Sequence, residues 1–151
     1  MNASILVDTN VLVYAYDRAT PDKQRVAITV ADALARRRIG VVSTQVLSEF
    51  FVAATRKIAQ PLSVAEARRR IDVYLQTWTV LDMTGMIVLE AARGVETYQL
   101  SFWDAQIWAA ARLNQIALVF SEDFNVGATI EGVHFINPFA AAFRLDDWIS
   151  P

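Results

Sequence analysis

The stretch Ile5-Leu6-Val7-Asp8-Thr9-Asn10-Val11-Leu12 decides how this chain is read. Its three consecutive aliphatic residues have the unbroken apolar character of a strand buried on both faces, as in a parallel sheet. The run ends on a carboxylate, and polar residues able to open a helix follow it. A buried strand that delivers an acid at its carboxyl end places charge at the sheet edge where open α/β folds bind ligands.

Working outward, Asn10 to Tyr16 reads as a short helix. Thr20-Pro21-Asp22 supplies a cap, a first-turn proline and an acid for a second helix running to about Arg38. Gly40 can stop that helix, Val41-Val42-Ser43 makes a second strand, and Thr44 caps a third helix from Gln45 to about Lys57, broken at Gln60-Pro61. Ser63 and Glu66 fit a capping box before a fourth helix, Ala67 to Leu75, and Trp78 to Leu81 forms strand three. A fifth helix from Met86 to Tyr98 and a sixth from Phe102 to Leu113 precede strand four, Ala117 to Phe120. Strand five spans Val133 to Ile136, with a terminal helix over Ala140 to Trp148. Strands alternating with helices predict one α/β domain over residues 1–151 with a mainly parallel sheet and right-handed crossovers.

At 54% hydrophobic and 20% charged residues, the composition is that of a globular protein with a substantial core. The apolar run at Ile5 breaks at Asp8 and has no basic segment before it, so neither a signal peptide nor a membrane anchor is expected and a cytoplasmic location is the default. Without cysteine, thiolate zinc sites, disulfides and cysteine nucleophiles drop out; His134 is the sole histidine. A net charge of −2 argues against a basic coat that captures nucleic acid indiscriminately. Yet 12 of the 14 basic residues are arginine, and Arg36-Arg37-Arg38 and Arg68-Arg69-Arg70 form runs suited to phosphate or to solvated helix faces.

Three further acids accompany Asp8. Asp104 shares a helix face with Ile107, Trp108 and Ala111, a stripe that should face the core, where an unpaired carboxylate is costly. Glu49 lies in register with Val46, Val52 and Ala53, and Asp123 follows strand four. Each has a structural alternative: Asp8 as a helix cap, Asp104 as partner of the Ser101 cap, Asp123 in an Asx-turn, Glu49 paired with Arg56. Four carboxylates at one sheet edge cannot all ionise unless a cation neutralises them. An all-oxygen set favours Mg²⁺ or Mn²⁺, which points to phosphoryl chemistry with metal-activated water. Thr9, Asn10 and Ser121 carry the hydroxyl or amide groups to orient those acids.

With these residues in place, the chain resembles the PIN-domain ribonucleases, most closely the VapC toxins of VapBC toxin–antitoxin pairs. The resemblance rests on Val7-Asp8-Thr9-Asn10-Val11-Leu12, Gln45-Val46-Leu47-Ser48-Glu49, Ser101-Phe102-Trp103-Asp104-Ala105-Gln106-Ile107 and Ser121-Glu122-Asp123-Phe124, and on the closing stretch through Ile136-Asn137-Pro138-Phe139. It implies that Asp8, Glu49, Asp104 and Asp123 hold one or two Mg²⁺ or Mn²⁺ ions, and that five strands are ordered 3-2-1-4-5. It further implies an RNA substrate, an antitoxin partner covering the site, and a homodimer. Where the family often has Thr before its last acid, this chain has Ser121; Glu122 is expected to face outward. Arg36 to Arg38, Arg68 to Arg70, Arg112 and Lys57 are candidates for RNA contact.

Rival readings fit less well. A haloacid-dehalogenase-like phosphatase needs an acid where Asn10 stands, and a response-regulator receiver needs paired acids at strand one and a lysine where Asn137 stands. A dinucleotide-binding domain would need a glycine-rich turn. Two alternatives remain within the resemblance: a non-catalytic PIN-like module that binds RNA or protein, and a housekeeping nuclease without an antitoxin.

Overall fold

The computed structural model describes residues 3–124 and 127–149. Strands β1 (Ile5–Val7), β2 (Gly40–Ser43), β3 (Thr79–Leu81), β4 (Leu118–Phe120), β5 (Thr129–Ile130) and β6 (Val133–Ile136) form one sheet in the order β3-β2-β1-β4-β6-β5. All neighbours are parallel except β5 and β6. The chain lays down β1, β2 and β3 towards one side and returns to β4 and β6 on the other, so strand order reverses between β1 and β4.

Helices α1 (Thr9–Tyr14), α2 (Pro21–Arg37), α3 (Thr44–Arg56), α4 (Val64–Thr77), α5 (Gly85–Tyr98), α6 (Phe102–Leu113) and α7 (Asp146–Ile149) complete the fold. Their starts follow local chemistry: Ser43, Ser63, Thr84 and Ser101 each accept a first-turn N–H, and Ser63 with Glu66 closes a full capping box. Arg38 and Gln99 end α2 and α5 in the left-handed conformation, at φ 57° in both. All three residues of β1 are buried, as an unbroken apolar run at a sheet centre requires. Among the described residues no helix is long and apolar enough to cross a membrane.

Several expectations change. Arg38 rather than Gly40 ends α2 in the left-handed conformation, and Ser43 rather than Thr44 caps α3. The sheet has six strands, because β5 pairs antiparallel with β6 through a tight turn at Glu131 and Gly132, whose φ values are +47° and +85°. Two successive positive φ angles define the hairpin turn that matches strand twist, and the usual Asn or Asp is replaced here by a glutamate. Arg93 and Tyr98 on α5 and Arg112 on α6 bond or pair with that glutamate and hold the turn. The terminal helix is confined to Asp146–Ile149 rather than spanning Ala140 to Trp148, and residues 140–143 form turns.

α5 and α6 approach closely at Gly94, where a Cβ would lie 2.8 Å from the ring of Trp108. Trp108 is fully buried and its indole N–H donates to the Ile130 carbonyl at 3.1 Å, so the ring cannot retreat. Gly94→Ala gains up to about 1 kcal/mol of helix propensity but meets an overpacking cost of about 1–3 kcal/mol. Net destabilisation by about 1 kcal/mol is expected in urea unfolding, and a more stable variant would show that α5 shifts freely.

Candidate metal and nuclease site

The carboxyl ends of β1 and β4 carry the site. Asp8 follows β1 and is only 8% exposed. Its backbone N–H donates to the Phe120 carbonyl at 2.9 Å, so the pairing of β1 with β4 continues into the acid. Oδ1 accepts from the Thr9 N–H and Oδ2 from the Ser121 hydroxyl, both at 2.7 Å. The first bond makes Asp8 the N-cap of α1, so one carboxylate both caps a helix and stands in the site.

The helix that Asp8 starts presents the next two residues to the other acids. Thr9 donates its hydroxyl to Glu49 Oε2 at 2.8 Å, and Asn10 donates its amide to Asp123 Oδ2 at 3.0 Å. Gln45, one turn before Glu49 on α3, donates Nε2 to Glu49 Oε1 at 2.8 Å and to the Trp103 carbonyl at 3.3 Å. Gln45 thereby joins α3 to the first turn of α6, which carries the half-buried Asp104 behind its Ser101 cap.

Electrostatics record how these acids converge. Burial is the main cause pushing the Asp8 carboxyl up to about 6; the Ser121 and Thr9 bonds oppose it, and Asp104 and Glu49 add repulsion. Asp104 is raised too, first by desolvation, against the Ser101 bond and with repulsion from Asp123 and Glu49. Thus each of the four expected acids stands within electrostatic reach of at least one other. The cluster is not preassembled: among the described residues no three His, Cys, Asp or Glu side chains are close enough to form a metal-ligating group. Thr9, Asn10, Ser121 and Gln45 each hold a carboxylate with a donor. An all-oxygen, mutually repelling donor set fits a hard divalent cation.

Glu122 does not face outward. It accepts from the Tyr14 hydroxyl and pairs with Lys23, both at 2.6 Å, and its backbone N–H donates to Asn10 Oδ1 at 3.3 Å. Lys23 sits over the Tyr14 ring, 4.8 Å from its centroid. Accepting from both groups, Glu122 raises the Tyr14 and Lys23 pKa values. The glutamate turns back against α1 and α2 because a cation and a hydroxyl await it there, and it fastens the loop bearing Asp123. Gln45 was open to sequence reading, being four residues before Glu49 on one helix face. The contacts of Tyr14 and Lys23 with Glu122 cross about a hundred positions and leave no local signal.

The Arg36 to Arg38 run and Arg112 lie at the other edge of the sheet. Arg36 to Arg38 end α2 beside Ile39, whose carbonyl accepts from the N–H of Ile5 at the amino end of β1, opposite the edge that Asp8 occupies. Arg36 pairs with Asp32, and Arg37 donates to the Ile149 carbonyl. Arg112 closes α6 before β4 and pairs with Glu90 and Glu131. Arg68 and Arg69 are exposed on α4, and Arg70 lies over the Tyr16 ring. Lys57 instead shares a groove with Thr9, Glu49 and Trp103.

A doubly wound α/β domain with a carboxylate edge at its switch point is the class that fold and site define. The PIN domain family model matches residues 5–129, and the chain belongs to that family. Comparison with curated proteins finds no significant match. Among solved structures, a toxin–antitoxin complex from Klebsiella pneumoniae is similar at TM-score 0.66 and 22% identity, over 90% of this chain and 98% of that one. VapC20 of Mycobacterium tuberculosis, a sarcin–ricin-loop-cleaving toxin, is similar at TM-score 0.61 and 21% identity over 85% and 98%. VapBC2 from Rickettsia felis, bound to a promoter DNA fragment, is similar at TM-score 0.62 and 16% identity over 88% and 97%.

A carboxyl raised from 3.8 to about 6 binds its proton more tightly in the fold than in the unfolded chain. Stability is therefore greatest below the unfolded value and falls as pH rises through about 6, by about 2–3 kcal/mol for this group. Asp8→Asn removes that penalty and keeps both hydrogen bonds, with the Ser121 hydroxyl now accepting. In chelator at pH 7.5 the variant should be about 2 kcal/mol more stable than the parent in urea, with the difference gone near pH 4. A variant that is less stable at both pH values would disprove the charge penalty.

Proposed function

We propose that this chain is a Mg²⁺- or Mn²⁺-dependent endoribonuclease that serves, in the cytoplasm and as a homodimer, as the toxin of a toxin–antitoxin pair. The observation that carries the reading is the set of carboxylates brought to one sheet edge and held by donors, Asp8 by Ser121 and the Thr9 N–H, Glu49 by Thr9 and Gln45, and Asp123 by Asn10, with Asp104 on the helix turn that Gln45 ties to α3. Membership of the PIN family and likeness in fold to the Klebsiella, Mycobacterium and Rickettsia proteins support it. Met86 and Leu89, 65% and 64% exposed on α5, offer apolar surface for a second copy or an antitoxin.

Asp8, Glu49, Asp104 and Asp123 would hold the ion. When bound, such a cation acidifies water and offsets charge on a scissile phosphate. Ser121 and the Thr9 N–H fix both Asp8 oxygens, Thr9 and Gln45 fix Glu49, and Asn10 fixes Asp123. Attack by the substrate's own 2′-hydroxyl needs a protein group to take its proton, most often a histidine. The sole histidine is remote: His134 lies on β6 opposite Leu118 at the amino end of β4, its Nδ1 against the Thr129 hydroxyl.

RNA incubated with the protein and Mg²⁺ or Mn²⁺ should give 5′-phosphate and 3′-hydroxyl ends, and EDTA should stop the reaction. Cyclic 2′,3′-phosphate ends would rule out hydrolysis by water. Asp8→Asn and Asp104→Asn should each lower kcat by at least about a hundredfold, on the scale of losing a group that acts in the transition state, while remaining folded. Induced expression of the parent should arrest growth and that of Asp8→Asn should not; arrest by both would detach the toxin role from the acids.

A further inference from the structure

The acids do not account for an open groove of about 530 Å³ beside them, well within the size range of small-ligand sites. Its walls are α3, through Ser48, Glu49, Val52 and Lys57, and α6, through Trp103; Thr9 lines it as well. Trp103 is 63% exposed, although a tryptophan gains more from burial than almost any other side chain. It is firmly placed all the same. The Ser101 cap fixes the helix start, Gln45 holds the Trp103 carbonyl, and the Phe102 ring braces the indole at 5.7 Å between centroids and 64° between planes.

At the far end of α3 stands Lys57, exposed and, among the described residues, in no ion pair or side-chain hydrogen bond. It lies eight residues beyond Glu49, roughly 12 Å along the helix axis. One end of the groove thus reaches the carboxylate edge, where Gln45 holds the Trp103 carbonyl, and the other a free cation, with the apolar Val52 between Glu49 and Lys57 on α3.

We propose that this groove is a nucleotide subsite for single-stranded RNA, with one base stacked on Trp103 and a neighbouring phosphate on Lys57. The proposal rests on the nuclease reading above and names where the strand lies when its scissile phosphate is at the acids. A base in a duplex is already stacked and cannot reach a ring on the protein wall, whereas an unpaired base offers its π-face to a fixed aromatic whatever its identity. A single ammonium on a flexible stem takes phosphate as a point charge, without reading sequence. The subsite therefore selects for unpaired RNA rather than for a particular base.

The test uses the full chain with Asp8→Asn, which prevents cleavage, and fluorescence anisotropy with a short labelled single-stranded RNA in Mg²⁺. Adding Trp103→Ala should weaken binding about tenfold, Trp103→Phe should restore most of it, and a blunt RNA duplex should be indifferent to both. Lys57→Met should lower the slope of log affinity against log salt by about one. Both positions are exposed, and thermal melting verifies that each variant is folded. In the active parent background Trp103→Ala should raise KM for unpaired RNA while kcat changes little. Unchanged oligonucleotide affinity and KM in Trp103→Ala, with cleavage intact, would overturn the subsite alone and leave the groove to a protein segment. If the parent neither binds nor cuts RNA, the nuclease reading and the subsite fall together.

Discussion

Asp8 sets a carboxyl group in a place that water scarcely reaches, and the groups that bond it are also the joints of the fold. The Asp8 N–H continues the β1–β4 pairing through Phe120, and the Ser121 hydroxyl ties its carboxylate to the loop after β4. Its other oxygen starts α1 on the Thr9 N–H. Because α1 begins there, Thr9 meets Glu49 and Asn10 meets Asp123. Moving Asp8 by one residue would misdirect both contacts together. A desolvated carboxylate is a stability cost, and costs of that kind collect where a structure is shaped for binding rather than for folding.

Much of this could be read from the residues because the signals were local. The apolar run at Ile5, the Ser63 and Ser101 caps and the stripe on α6 each act within a few positions; Asp8 and Asp123 follow strands, and Asp104 and Glu49 stand in the first and second turns of their helices. What escaped was non-local or too short to leave a pattern. β5 is two residues long and depends on a Glu131-Gly132 turn held from outside by Arg93, Tyr98 and Arg112. Glu122 read as a surface acid because Lys23 and Tyr14 are distant in sequence, and the residues after Phe139 form turns where a continuous helix was expected.

Arg36 to Arg38 and Arg112 misdirect for a topological reason. In a parallel sheet each helix that leads into a strand delivers its last turn to the amino edge, and α2 and α6 therefore carry Arg36 to Arg38 and Arg112 away from the acids. The helices that open after β1 and β2 begin at the carboxyl edge instead, which is how Thr9 and Gln45 come to meet Glu49 and Asn10 to meet Asp123. Position in the βαβ path decides which charges meet, and local charge density does not.

A chain of net charge −2 has no general attraction for a polyanion, so contact with one has to come from a few unspent cations. Arg25, Arg36, Arg93 and Arg112 are paired with acids, and Lys23 is committed to Glu122. Lys57 differs from these in having no ion pair or side-chain hydrogen bond among the described residues and in lining the groove that also holds Glu49 and Trp103. Affinity built from one or two ammonium–phosphate contacts is weak in itself and mild in its salt dependence. It must be completed by interactions that salt does not screen, and an aromatic face fixed beside the acids is the side chain here best suited to provide them. On the proposed reading, local apolar surface would do the holding that a basic coat does elsewhere, and would do so without attracting every nucleic acid the protein meets.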